Sequence, residues 1–150
     1  MSLSVPARRP HSIVTLLGGK QVLPHPPKTS LEWVEVIRKG ISSAALEALA
    51  KSVEITQTEL ANALGIPDRT LARRKKEGAM SSDETAKLIR LARVVERAEQ
   101  VFGDLETGLD WLKTPNASMA RARPISLLDT DIGTESVMDT LGRIEHGVFA

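Results

Sequence analysis

The residues best suited to specific chemistry lie in a short basic segment, residues 67–78. This segment has five arginine and lysine residues against two acidic ones. An arginine side chain donates two hydrogen bonds to a guanine edge, and a carboxylate accepts one from cytosine. Asp68, Arg69 and Arg73 are therefore candidates for reading base edges. Contacts to phosphate position a protein on DNA without specifying sequence, and they are expected from Thr70, Arg74, Lys75 and Lys76.

The residues before this segment predict a helix-turn-helix that would present it. Thr56 with Glu59 three residues later matches the reciprocal capping box that starts a helix. Gly65 suits the left-handed turn that ends this helix, and Pro67 suits the start of the next. Two short helices joined by a glycine-containing turn are typical of a motif whose second helix enters the DNA major groove. Without this context the basic segment would indicate only a solvated helix face; with it, we expect contact with operator DNA.

Composition limits the fold and the kinds of site. The 150 residues are 41% hydrophobic but only 3% aromatic, so the core must consist of aliphatic side chains, which favours an all-α fold. A net charge of +1 means that a DNA-binding surface must arise from local charge. The absence of cysteine excludes disulfides and thiolate metal sites and fits a reducing cytoplasm. We expect no metal, no cofactor and no membrane partner, since the longest early apolar run, residues 13–17, is too short to span a bilayer.

Residues 1–28 are predicted to form an N-terminal arm, because they contain five of the eight prolines. Within it, residues 13–17 could form one short helix or strand. Two interpretations stay open: the arm docks on a partner or on a second copy of the chain, or it is a partly disordered leader.

Residues 29–103 are predicted to contain the helix-turn-helix and a long connecting helix. A second capping box starts a helix at Thr29, with Leu31, Val34 and Ile37 or Arg38 at helical spacing on its inner face and Trp33 along its buried edge. A further helix over residues 41–53 would brace the motif. A third box at Ser81 starts a helix that runs to about Phe102, with a wide apolar stripe. That stripe fits either an internal core helix or a dimer contact.

Residues 104–150 are predicted to form a second, smaller helical domain. Short helices are expected over residues 104–113 and 124–128, then a turn at 131–134 and a helix from 135 to about 146. A short apolar tail follows Gly147. An exposed Phe149 lowers solubility unless something covers it, so this tail either folds back on its own domain or inserts into a partner.

The pattern of this second part resembles the toxin-binding domain of the Xre/MbcA/ParS antitoxins. The likeness covers about residues 50–150, with the helix-turn-helix first. It depends on Trp111-Leu112, Pro115-Asn116, the run 124–128, Gly133, Val137, Leu141, Arg143-Ile144 and Gly147-Val148-Phe149. The chain departs from the family at residues 119–121, where relatives often carry a glycine pair and a different turn is expected.

The resemblance implies an antitoxin that neutralises an NAD⁺-consuming RES-domain toxin and represses its own operon through the helix-turn-helix. It implies that the C-terminal end covers the entrance to the toxin active site. The terminal segment expected to meet the toxin is Arg143, Ile144, Gly147, Val148, Phe149 and Ala150. A homodimer and a hetero-oligomer with the toxin are also expected.

Two other functions are alternatives to this one. The first is a plain helix-turn-helix regulator whose C-terminal part dimerises or binds a ligand. The second is an enzyme, which the sequence does not favour, because His11, His25 and His146 are far apart and no nucleophile, phosphate-loop or metal motif is present. We therefore predict no catalytic residues.

Overall fold

The computed structural model describes residues 10–147, and this part of the chain is built from helices with no β-strand. Three short 3-10 helices, over Gly19–Gln21, Ala117–Met119 and Pro124–Leu127, complete the structure. The predicted all-α class is therefore confirmed. The α-helices are α1 (Ile13–Leu16), α2 (Ser30–Lys39), α3 (Ala44–Val53), α4 (Gln57–Leu64), α5 (Asp68–Glu77), α6 (Ser82–Phe102), α7 (Leu105–Lys113) and α8 (Asp131–Glu145).

The three predicted capping boxes are all present. In each, the hydroxyl of the N-cap residue accepts a hydrogen bond from the backbone N–H three residues on, and the glutamate at that position accepts one from the N-cap backbone. These bonds satisfy amide groups that a helix start would otherwise leave unpaired. The pairs are Thr29 with Glu32 at α2, Thr56 with Glu59 at α4 and Ser81 with Glu84 at α6.

The long helix α6 is the centre of the molecule. Leu88, Ala92 and Val95 on it are fully buried. Helices α1, α2, α3 and α4 pack against α6 from the N-terminal half, and α7 and α8 pack against it from the C-terminal half. Its wide apolar stripe is thus covered by the chain itself, which supports the interpretation of an internal core helix.

The segment predicted to be a separate arm is part of this core from residue 11 onward. Leu16 and Leu17 are fully buried. The Glu99 side chain accepts hydrogen bonds from the backbone N–H of His11 at 2.6 Å and from its Nδ1 at 2.9 Å. The proline pattern did not reveal this packing, because the partners lie 36 residues away at Ser52 and 88 residues away at Glu99. The prediction of a separate arm is therefore wrong for residues 11–23.

Helix α2 packs on the core through Trp33 and Ile37, as predicted, but not through Leu31 and Val34. Leu31 is 78% exposed and Val34 is 37% exposed, whereas Trp33, Val36 and Ile37 pack against the core. The observed orientation buries the larger aromatic side chain, which removes more apolar area from water. The expectation that Leu31 and Val34 point inward is therefore wrong.

Helix α3 begins at Ala44 rather than at residue 41. The backbone N–H of Ile41 donates to Thr85 Oγ1 at 3.0 Å, and its carbonyl accepts from Met80 N at 2.9 Å. Because these backbone groups bond to α6 and to the α5–α6 connection, they do not take part in the hydrogen bonds of α3.

Helix α8 begins at Asp131, four residues before the predicted start. Thr130 is the N-cap, and its hydroxyl accepts from Gly133 N at 3.0 Å. Gly133 suggested a turn, but it lies inside the first turn of α8. A Cβ at this position would overlap the carbonyl oxygen of Leu127, so the glycine permits close packing of α8 on the preceding 3-10 helix.

The turn over residues 119–121 contains two consecutive left-handed residues that are not glycine. Ala120 has φ 53° and Arg121 has φ 65°, a conformation that L-residues adopt at a cost. Asn116 stabilises the turn, since its carbonyl accepts from Arg121 N at 2.9 Å and its Oδ1 accepts from Ser118 N at 2.9 Å.

Candidate nucleic-acid and partner-binding sites

Helices α4 and α5 form the predicted helix-turn-helix. Gly65 ends α4 in the left-handed conformation, with φ 69°. Ile66 in the turn is buried, as are Leu60 and Leu64 of α4 and Leu71 of α5. This apolar contact fixes the crossing of the two helices and leaves the opposite face of α5 to solvent.

Asp68 at the start of α5 is held by α4. Its two carboxylate oxygens accept hydrogen bonds from Gln57 Nε2 at 2.8 Å and Thr58 Oγ1 at 3.0 Å. The bond from Gln57, followed by the bond from Thr58, keeps the pKa of this carboxyl below its usual range. The sequence suggested Asp68 as an acceptor for cytosine; the structure gives it partners within the motif and so a role in fixing the two helices.

The exposed basic residues of α5 are Arg69, Arg73, Lys75 and Lys76, with Thr70 half-buried beside Arg69. The Arg73 side chain is 59% exposed, and its Nε lies 3.6 Å from Glu77 Oε1, a long contact of the kind that contributes little in water. These side chains are therefore open to solvent, apart from the weak contact to Glu77.

Arg74 differs from its neighbours because it joins α5 to α6. Its Nε donates to Glu84 Oε1 at 2.8 Å and its Nη1 donates to Glu77 Oε2 at 2.8 Å. Burial raises the pKa of Glu84, but hydrogen bonds from Arg74 and Ser81 outweigh burial, so the pKa of this carboxyl lies below its ordinary value. The expectation that Arg74 contacts phosphate overlooked this internal pairing, which a run of basic letters does not reveal.

The C-terminal end of α8 is fixed to α6 by an ion pair that the sequence analysis missed. Arg97 donates through Nη1 and Nη2 to the two carboxylate oxygens of Glu145, at 2.8 and 2.7 Å. These bonds lower the pKa of the Glu145 carboxyl. A second pair, Arg90 Nη1 with Asp131 Oδ1 at 2.7 Å, joins α6 to the start of α8. Both ends of α8 are thereby held.

The predicted partner-binding residues lie in the last turn of α8 and after its end. Arg143 is exposed and its Nη2 donates to Thr140 Oγ1 at 3.2 Å, while Ile144 is half-buried. Gly147 is exposed with φ 68°, the left-handed conformation that ends a helix. The other three predicted contacts, Val148, Phe149 and Ala150, lie outside the described residues.

Comparison with known proteins accounts for both halves of the chain. Residues 32–93 match the model of the antitoxin Xre-like helix-turn-helix domain, and residues 97–147 match the antitoxin Xre/MbcA/ParS C-terminal toxin-binding domain. An antitoxin Xre of Yersinia enterocolitica is 34% identical over 119 residues, which cover 78% of this chain and 80% of that protein. The chain belongs to the Xre antitoxin family. An antitoxin Xre of Photorhabdus laumondii is 29% identical over 117 residues, which cover 77% of this chain and 79% of that protein.

As a member of the Xre antitoxins, a regulatory and binding family, the chain combines a DNA-binding helix-turn-helix with a toxin-binding domain. The two matched domains meet within α6, so one continuous helix belongs to both. The Arg74–Glu84 pair falls in the first domain, and the Arg97–Glu145 pair falls in the second. Each domain of this Xre antitoxin is therefore joined to its own part of α6 by an internal ion pair.

Other kinds of site find no support in the described part of this Xre antitoxin. Residues 10–147 contain no cluster of His, Cys, Asp or Glu that could hold a metal ion. His11 forms an ion pair with Glu99, and neither residue belongs to α5 or to the C-terminal end of α8. None of the helices in the same residues has the length and apolar character needed to cross a membrane.

Proposed function

We propose that this Xre antitoxin neutralises an NAD⁺-consuming RES-domain toxin and represses its own operon as a homodimer bound to operator DNA. In the complex, the antitoxin and the toxin form a hetero-oligomer. The antitoxin supplies no catalytic group and needs no cofactor; it acts by occupying surfaces of the toxin and of DNA. The observation that carries the proposal is the residue pattern from Trp111 to Phe149, which resembles the domain that binds RES toxins.

The geometry of α8 supports a role for the chain end. Arg97 and Arg90 fix this helix at its two ends, and residues 146–150 follow it in the sequence. A short segment that extends from a rigid element loses little conformational freedom on binding, which favours affinity. We infer that residues 143–150 cover the active-site entrance of the toxin, with Phe149 as the apolar contact.

The geometry of α5 supports repression. Arg69, Arg73, Lys75 and Lys76 are all exposed on the second helix of the motif, the element that enters the major groove in helix-turn-helix proteins. Arg69 and Arg73 are assigned to base edges, and Lys75 and Thr70 to phosphates. Asp68 lies at the same end of α5 but is already bonded to α4, so we assign it mainly to positioning.

Co-purification with a RES-domain protein encoded beside the gene tests the toxin assignment. We expect a stable complex in which NAD⁺ consumption by the toxin is abolished. Fluorescence anisotropy with the DNA upstream of the gene pair tests repression, and we expect tighter binding than to a scrambled duplex at the same salt concentration. Unimpeded NAD⁺ consumption in the presence of excess antitoxin would refute the first part, and equal affinity for both duplexes would refute the second.

A further inference from the structure

A cleft lies where the end of α3, the end of α6 and the helix α7 meet. Its volume is about 940 Å³, near the upper end of the range found for ligand pockets. The helix-turn-helix domain contributes Ser52 and Glu54 to its lining, and the toxin-binding domain contributes residues between Glu99 and Lys113. The cleft therefore lies on the boundary between the two domains, and its lining contains no residue of α5 or of α8.

The lining of this cleft is strongly acidic, although the whole chain has a net charge of only +1. One lysine and one histidine face five carboxylates, which belong to Glu54, Glu99, Asp104, Glu106 and Asp110. Glu99 accepts from His11, and Asp104 accepts from Thr107. The other three carboxylates belong to exposed residues, and none of them takes part in an ion pair within residues 10–147.

The spacing of these carboxylates indicates an extended cationic ligand. Carboxylates that hold a metal ion converge on one point, and residues 10–147 contain no group of acidic and histidine side chains that does so. DNA and anionic membranes have the wrong sign of charge. Glu106 and Asp110 are four residues apart, so they are neighbours on one side of α7. Such an arrangement suits a polypeptide segment with more than one basic side chain.

We propose that this cleft binds the N-terminal segment of the same chain, residues 1–9, which lie outside the described part of the structure. The segment contains Arg8 and Arg9 and no acidic residue. It is joined to Pro10, which itself lines the cleft. Since one residue spans at most about 3.6 Å of chain, both arginines are held at the edge of the cleft, within reach of its unpaired carboxylates.

Attachment at the edge of the cleft favours this segment over a cationic segment of another protein. Binding within one chain proceeds at an effective concentration on the order of millimolar, whatever the protein concentration. Bound there, the segment contacts both α3 and α7 and so adds a contact between the two domains that share α6. The inference does not rest on the toxin or the operator of the proposed function, because both partners in the contact belong to this chain.

Paramagnetic relaxation measured by NMR on the full chain tests the contact. Because the chain has no cysteine, Ser4→Cys provides a single position for a nitroxide label. At low salt, without toxin or DNA, we expect the oxidised label to suppress the amide signals of α7 and of Glu54. The signals of α5 should be unaffected, since α5 is bonded to the opposite end of α6. Raising the salt concentration should restore the α7 signals, because salt screens exposed charges.

Charge reversal separates binding in the cleft from mere attachment at Pro10. Arg8→Glu with Arg9→Glu should restore the α7 signals, and so should Glu106→Arg with Asp110→Arg. All four changes together should suppress the signals again, since the opposite charges are then recreated with their signs exchanged. The matched control is a double change on α8, Glu135→Arg with Asp139→Arg. These two residues are also exposed and four positions apart, and their reversal should leave the α7 signals suppressed.

Two results would overturn the inference. The first is equal suppression of the α7 signals with and without the reversal of Arg8 and Arg9, because attachment alone would then explain it. This pair of changes touches no residue of the core, so it decides the matter even if a variant of α7 folds poorly. The second is suppression in a mixture of isotope-labelled chain without nitroxide and unlabelled chain with it, which would assign the cleft to the N-terminal segment of a second copy. We expect no suppression in that mixture.

Discussion

Arg74 and Glu84 connect the second helix of the helix-turn-helix to the first turn of the long central helix. Arg74 Nε donates to Glu84 Oε1 at 2.8 Å, and the same carboxylate oxygen accepts from Ser81 N at 2.9 Å as part of the capping box. One glutamate thus starts α6 and holds α5 in position. The arginine that is most enclosed on α5 stabilises the motif, and its exposed neighbours are left to contact DNA.

This relationship predicts an acid dependence of stability. The folded state lowers the pKa of Glu84, so the unfolded chain binds more protons at acidic pH, and stability falls as the pH is lowered. The contribution is complete above about pH 5 and is lost as the pH falls below about 4. Glu84→Gln should lower the melting temperature at neutral pH and differ less from the natural chain at about pH 3. Glu35→Gln, on an exposed surface pair, is the control and should change little at either pH. A constant difference between the Glu84 variant and the natural chain would contradict this account.

Three single substitutions on α5 should separate DNA reading from stability. Arg69→Ala and Arg73→Ala should each reduce discrimination for the operator by about 1–3 kcal/mol, the worth of a lost bidentate base contact, with an unchanged melting temperature. Arg74→Ala removes the same charge but should lower the melting temperature, because it leaves the Glu84 carboxylate without its partner. Anisotropy titrations on specific and scrambled duplexes, with thermal melts of each protein, provide the comparison. The assignment fails if Arg74→Ala melts as the natural chain does and loses only operator discrimination.

Two glycines of α8 should respond in opposite ways to substitution by alanine. Gly133→Ala places a methyl group on the Leu127 carbonyl and should cost about 1–3 kcal/mol of unfolding free energy, as overpacking does. Gly142→Ala meets no atom within 4 Å and should stabilise the helix by about 0.5–1 kcal/mol. Urea denaturation of the two variants measures both effects. Equal stabilities would show that α8 does not pack closely on the 3-10 helix.

Two leucines near the N-terminus test whether residues 11–23 belong to the core. Leu17 is fully buried, so Leu17→Ala should cost about 2–5 kcal/mol. Leu31→Ala, at an exposed position of α2, should change the stability of the isolated subunit by no more than about 0.5 kcal/mol. The comparison is made at protein concentrations low enough to avoid dimer formation. If Leu17→Ala has no effect, the first segment is an arm, as its prolines suggested.

Local signals in the sequence specified most of the helix starts. The capping boxes at Thr29, Thr56 and Ser81 were recognisable because all their bonds form within four residues. Gly65 was recognisable because the turn between α4 and α5 needs a left-handed residue. The start of α8 was missed because Gly133 is needed for close packing on Leu127. In the sequence, a glycine required for packing cannot be told from a glycine that forms a turn.

Long-range pairings could not be derived from spacing. Glu99 binds His11 across 88 positions, and Arg97 binds Glu145 across 48, so neither charge indicates its partner locally. Leu31 has the helical spacing of a core residue yet is exposed, because the packing of Trp33 decides which side of α2 faces inward. The motif alone was enough to predict that basic side chains of α5 are exposed. That Arg74 is not among them depends on its bond to Glu84 of α6, which the motif does not reveal.

The most direct test of two separate binding surfaces is inhibition of NAD⁺ consumption by the RES-domain toxin, measured as a function of antitoxin concentration for three proteins. The full chain and the Arg69→Ala, Arg73→Ala double variant should inhibit equally, because their C-terminal ends are identical. A chain that lacks residues 147–150 should keep its melting temperature and its operator binding but inhibit far more weakly. Full inhibition by the shortened chain, or loss of inhibition in the double variant, would contradict the account.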